Sequence, residues 1–255
     1  RLIYNLIERV STDCLDIADL IETCDLAKEK FELDLLFKFS NFCISKNKDD
    51  YAITILESLS RKNPKDLNVH YNLGLLYSNA NQHAKALSAF NIALSIEEAN
   101  PESLVNKGFS LFFLGQYHNA SEAFKSSIKS DSSIPEAYFG FGNSLFELRR
   151  FEEAVEQYDK AISINPNYAE AYSNKGNSLF KIGCFEEAVE QYDKAISINP
   201  NYAEAYSNKG AAFKELRNFP LSIEQYEKAL NINCKLGNAL EYLFHLRMKI
   251  CQWSN

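Results

Sequence analysis

Glycine and proline are scarce in this chain, nine and six of 255 residues, while 46% of it is hydrophobic and 24% charged. That balance belongs to a soluble globular or repeat protein with enough apolar side chains for a large core. Basic charge is short as well: 27 Lys and Arg face 34 Asp and Glu, for a formal charge of −7. Between Pro135 and Tyr202 eleven acidic residues stand against six basic ones. A nucleic acid or an anionic membrane surface is a poor partner for such a chain. The six cysteines, at 14, 24, 43, 184, 234 and 251, contain no CxxC or other ligand spacing. Reduced thiols and a cytoplasmic location are therefore expected rather than a disulfide framework. No apolar run reaches the ~18 to 20 residues of a membrane span, and the opening RLIYNLIERV is amphipathic with an interior acid, unlike a signal peptide. The first residue is Arg rather than Met, which suggests a piece of a longer protein.

Catalytic groupings are missing too. The four histidines, at 70, 83, 118 and 245, have no carboxylate or cysteine at a recurrent ligand or triad spacing. The stretch GFSLFFLG at 108 to 115 is a helical pattern closed by a turn glycine, not a phosphate-cradling loop. No cofactor, metal or catalytic residue is assigned, and the chain by itself is not expected to be an enzyme.

What is present is repetition. The 26 residues from Phe151 to Gly176 recur letter for letter from Phe185 to Gly210, 34 residues later. Stepping by 34 gives frames that start at Leu33, Leu67, Pro101, Pro135, Ala169 and Ala203, with no insertion or deletion. Position 8 of the frame is Ser40, Gly74, Gly108, Gly142, Gly176 and Gly210, and position 20 is Ala in five frames and Ser222 in the sixth. Position 24 is Leu56, Phe90, Phe124, Tyr158, Tyr192 and Tyr226, while position 27 is small in every frame after the first. Apolar residues recur between these marks with helical spacing. Each unit therefore reads as helix A over positions 1 to 14, a turn, and helix B over roughly 16 to 28. Small residues at 8 and 20 lie where the two helices cross, because a bulky side chain there would push them apart. The Asn-Pro steps at 165 and 199 hold the preceding residue extended and end helix B.

The pattern Tyr172, Gly176, Leu179, Ala188, Tyr192, Ala195, Pro200 resembles the tetratricopeptide repeat. The resemblance covers residues 33–236 as six units, with residues 1–32 expected as an N-terminal helical cap and 237–255 as one more helix A and a junction to a downstream domain. It implies an all-α fold, a right-handed superhelical solenoid of antiparallel helix pairs with helix A lining a concave groove that binds polypeptide.

One column of helix A suggests how. Position 6 is Asn72, Asn106, Asn174 and Asn208, interrupted by Gly140. A side-chain amide carries both donors and an acceptor and can bond an extended peptide's backbone whatever its sequence. The same column equally serves to keep an exposed face polar. Position 12 supplies Phe112, Phe146 and Phe180, which either pack between repeats or wall the groove.

The C-terminal His245, Cys251 and Trp253 have the His-x5-Cys-x-Trp spacing. They resemble the junction that follows the repeats in O-GlcNAc transferase-like glycosyltransferases. That resemblance implies a substrate-recognition arm whose asparagine ladder grips acceptor polypeptides. The alternative is a stand-alone adaptor or scaffold, with self-association through repeat ends or the convex face. A chaperone-tail receptor would need basic residues on helix A, but position 5 reads Tyr71, Val105, Phe139, Ser173 and Ser207.

Overall fold

The computed structural model describes residues 30–253, and within them regular structure is entirely helical. Thirteen helices follow in order: α1 (Lys30–Ser45), α2 (Asp49–Lys62), α3 (Leu67–Asn79), α4 (His83–Ile96), α5 (Pro101–Phe113), α6 (Tyr117–Ser130), α7 (Pro135–Glu147), α8 (Phe151–Ile164), α9 (Ala169–Ile182), α10 (Phe185–Ile198), α11 (Ala203–Glu215), α12 (Phe219–Ile232) and α13 (Gly237–Trp253). They divide into two compact units, the boundary falling between Ser130 and Asp131. The expected cap over 1–32 lies outside the described residues except for 30–32, which open α1.

Odd-numbered helices through α11 occupy the helix A slot and even-numbered ones the helix B slot. Helix B runs from position 17 to position 30, two residues beyond the sequence expectation, as in Phe151–Ile164 and Phe185–Ile198. Proline at position 32 restrains only the residue before it, so the helix continues until Asn165 turns extended at φ −121° and ψ 93°. The Asn165 side chain then accepts from the backbone N–H of Asn167 at 3.1 Å, as Asn199 does from Asn201. These short turns carry the chain into the next helix A.

Between helices A and B every unit uses one device. Position 15 has a positive φ in all six frames: Asn47, Asn81, Gly115, Arg149, Gly183 and Arg217. The following N–H reaches back to the carbonyl at position 11, for example Arg150 to Leu145 at 2.9 Å and Cys184 to Leu179 at 3.0 Å. This closure satisfies carbonyls that a helix end leaves open.

The glycine column marks the helix crossing. A Cβ on Gly176 would sit 2.7 Å from a ring carbon of Tyr192, and one on Gly142 equally close to Tyr158. In the last full unit a Cβ on Gly210 would lie 3.2 Å from the Ser222 carbonyl, and the Ser222 hydroxyl donates to the Gly210 carbonyl at 2.7 Å. Positions 8 and 20 therefore meet backbone to backbone, with the position-24 ring filling the space beside them. In the first unit Leu36, Phe39, Ile55, Leu56, Leu73 and Phe90 share one buried cluster. In the second, Tyr158, Tyr192 and Tyr226 each anchor a buried cluster of their own.

α13 takes the next helix A slot, burying Ala239, Leu243 and Leu246 in one cluster with Tyr226 and Ala229 of α12. Its position 8, however, is Phe244, which is 63% exposed. A phenylalanine stands where five preceding A helices keep glycine, so α13 lacks the notch that admits a helix B.

Candidate functional site

Consecutive A helices touch within each unit, α3 with α5, α7 with α9, and α9 with α11. This face carries the asparagine column. All four asparagines are half-buried, and the two units use them differently.

In the first unit each donates to the carbonyl one turn back on its own helix. The Asn72 amide donates to the Asn68 carbonyl at 2.9 Å. Asn106 donates to the Glu102 carbonyl at 2.9 Å and reaches the Tyr71 hydroxyl at 3.3 Å. In the second unit the amides link helices. Asn174 Nδ2 donates to Asn143 Oδ1 and Asn208 Nδ2 to Asn177 Oδ1, each at 2.9 Å. The same two acceptor oxygens receive the hydroxyls of Tyr158 and Tyr192, at 2.8 and 2.9 Å. Asn177 Nδ2 closes the chain onto Asn174 Oδ1 at 3.4 Å. Burial lifts both tyrosine phenols well above their ordinary range, so each stays a neutral donor near neutral pH.

Asn143 and Asn177, at position 9, are the site residues that the position-6 column alone does not reveal. Their signal in the sequence is pairing with position 24. Where position 24 is Phe90 or Phe124, position 9 is Leu75 or Phe109, and where it is Tyr158 or Tyr192, position 9 is asparagine. The last full unit breaks the rule: Tyr226 faces Ala211, and the Tyr226 hydroxyl is buried without a hydrogen-bond partner. Gly140 leaves a rung out, and Asn143 on the same helix receives Asn174.

This network fixes the amides and determines what they still offer. Each amide has two N–H groups and an oxygen with two lone pairs. One N–H remains on each of Asn174, Asn177 and Asn208, and the Asn208 oxygen receives no donor among the described residues.

Next to these groups lies a pocket of about 250 Å3 lined by Phe146, Asn177, Phe180, Lys181, Tyr192, Asn208 and Ala211. It brings together Phe146, Phe180 and Asn208. Each position-12 ring packs on an aromatic of its own repeat, Phe146 on Phe151 and Phe180 on Phe185, both at 5.3 Å, and Phe112 on Tyr117 at 5.3 Å, and Phe180 also packs against the cluster that holds Ala212 of the next repeat. Each meets the first residue of its helix B. Phe146 and Phe180 therefore both brace a turn and line the pocket.

The C-terminal trio lies on α13. His245 is largely exposed, its ring 3.9 Å from Glu241 one turn away, and positions 251 and 253 fall in the helix's last two turns. Among the other histidines, His70 is buried against the Pro64 carbonyl at 3.0 Å, and His83 stacks on Phe113 at 4.7 Å. No helix among the described residues is long and apolar enough to cross a membrane.

Comparison with known proteins agrees with this architecture. A TPR repeat family model matches residues 142–183 and 176–216, and a tetratricopeptide repeat model matches 67–100, 101–134 and 203–243. No curated protein matches the sequence. Among solved structures, YrrB, "a TPR protein with an unusual peptide-binding site", aligns with a TM-score of 0.59 at 22% identity, over 73% of this chain and 96% of its own. MamA aligns with a TM-score of 0.58 at 27% identity, over 64% and 95%. PilF of Pseudomonas aeruginosa aligns with a TM-score of 0.71 at 15% identity, over 84% and 97%. Together the family models span residues 67–134 and 142–243, and the chain belongs to the tetratricopeptide repeat family.

Proposed function

We propose that the A-helix face of the second unit holds an extended polypeptide by its backbone. The observation that carries this reading is the asparagine–tyrosine network, which pins Asn174, Asn177 and Asn208 and leaves one N–H on each free to donate to peptide carbonyls. Donors fixed before binding lose little side-chain freedom when the ligand arrives. The pocket between Phe146 and Phe180 takes one apolar side chain, and Lys181 beside it favours an acidic neighbour. In the first unit Asn72 keeps one N–H to donate, while Asn106, with both N–H groups engaged, offers its amide oxygen to a peptide N–H.

The test is a titration of unrelated unstructured peptides against the wild type and the Asn72→Ala, Asn106→Ala, Asn174→Ala, Asn208→Ala variant. Binding should weaken alike for all sequences, each lost bond contributing about 0.5 to 1.5 kcal/mol, with helicity retained. Equal affinities would reduce the column to a fold element.

A second reading makes this chain the substrate-recognition arm of an O-GlcNAc transferase-like enzyme. Its support is the spacing of His245, Cys251 and Trp253 directly after the last full unit, on a helix whose Phe244 departs from the repeat pattern. A parent reading frame that continues past Asn255 into a nucleotide-sugar-binding α/β region would carry it. A frame without such a region leaves the adaptor or scaffold reading.

A further inference from the structure

On the helix B side of the second unit, two interactions recur at fixed frame positions. Lysine at position 7 pairs with aspartate at position 25 of the preceding repeat: Lys175 with Asp159 at 2.6 Å and Lys209 with Asp193 at 2.5 Å. Tyrosine at position 4 lies under lysine at position 26, with the Lys194 ammonium 5.8 Å from the Tyr172 ring centre. Ion pair and ring together fill the furrow between neighbouring B helices.

The first unit has lost both fillings at one place. Position 4 of α5 is Leu104, and position 26 on α6 is Ser126, each shorter than its counterpart. Lys107 keeps the position-7 cation, but Asn91 stands where the aspartate would be. A cleft of about 360 Å3 opens there between α4 and α6, floored by α5. Leu87, Leu104 and Leu111 make it apolar, and Lys107 lines it with no carboxylate partner among the described residues. Glu122 also borders the cleft, but its carboxylate is engaged by Lys125 at 2.8 Å.

We infer that this cleft is a second binding site, on the face opposite the asparagines, for a short partner segment in which an Asp or Glu adjoins a bulky apolar residue. The carboxylate pairs with the half-buried Lys107 and accepts from the Asn91 amide, restoring between molecules the ion pair that the second unit makes internally. The apolar neighbour covers the leucines, where the Tyr172 ring lies in the other unit. An acid is selected because a cation partly withdrawn from water gains most from an opposite charge. The site stands independently of the groove.

The probe is a library of random twelve-residue peptides, selected on the whole chain carrying Asn174→Ala and Asn208→Ala so that the groove contributes little. Selected peptides should carry an acid beside Leu, Ile or Phe. By fluorescence anisotropy their affinity should fall about tenfold or more with K107E, recover on K107E when the peptide's acid is changed to Lys, and fall with N91D. N91D is an exposed change that supplies the missing carboxylate internally, so it blocks the site without threatening the fold. L104Y should block it sterically. The inference is overturned if no acid-apolar class is selected, if such peptides bind N91D and K107E as tightly as wild type, or if sedimentation shows a dimer of the chain that K107E dissociates, which would make a second copy the occupant.

Discussion

Tyr226 shows how far a single residue depends on its register. Its ring is fully buried, like those of Tyr158 and Tyr192, but its hydroxyl lacks the carboxamide oxygen that position 9 supplies to the other two. Leaving a buried hydroxyl unpaired costs about 1 to 3 kcal/mol. Ala211→Asn should supply the acceptor and stabilise the protein by about 1 kcal/mol, with a net bond's worth gained. Tyr226→Phe removes the unpaired hydroxyl and should be neutral to stabilising, in contrast to Tyr192→Phe, which takes from Asn177 Oδ1 one of its two donors. Urea unfolding of the three variants checks the set, and a destabilised A211N would contradict the geometry. At the crossing, Ala188 is fully buried, and Ala188→Leu should cost about 1 to 3 kcal/mol by overpacking. An unchanged unfolding midpoint would argue against this placement of the contact.

At the scale of the element, the turn after helix A carries strain. Arg149 and Arg217 adopt the left-handed region, at φ 61° and 58°, where a Cβ costs roughly 1 to 2 kcal/mol. Arg217→Gly should raise stability by up to about 1 kcal/mol, since glycine's extra freedom in the unfolded chain offsets part of the relief. Thermal unfolding with unchanged helicity is the measure, and a lower midpoint would count against strain at that turn. These turns also mark the edge of what the sequence discloses. The glycine column, the Asn-Pro stops and the 34-residue period made the helix pairs legible, because sterics at a crossing admit few residue types. Arginine at position 15 gave no signal, since local preference there is overruled by the carbonyl closure on both sides. The asparagine column was legible as a face. Its bonding to Asn143 and Asn177 was not, because the partners lie 31 residues away and only the Tyr-Asn covariation hints at them. Phe244 reads as an ordinary helix residue until its position is compared with five glycines.

For the molecule as a whole, the buried tyrosines couple stability to alkalinity. Burial lifts the phenols of Tyr158, Tyr168, Tyr192 and Tyr226 above their ordinary range. The folded chain therefore holds these protons more tightly than the unfolded one. Their contribution is fully present below the ordinary phenol pKa of about 10 and is lost as pH rises beyond it. Unfolding midpoints should be flat across neutral pH and drop steeply above about 10. Tyr158→Phe should soften the drop, and an unaltered slope would remove that residue from the linkage.

The letter-for-letter copies have a genetic consequence. Excising residues 169–202 joins Tyr168 to Ala203, and because 151–168 and 185–202 are identical the new junction reads as the native one at Tyr202–Ala203, so α8 should meet α11 as α10 does now. Asn208 would then donate to Asn143 as Asn174 does. The shortened chain should fold with one unit's stability and one interface fewer, seen as a lower but still cooperative melt. A gene encoding this protein can thus lose or gain a length of reach by unequal crossing-over in a single step, with every reading-frame junction already a native one.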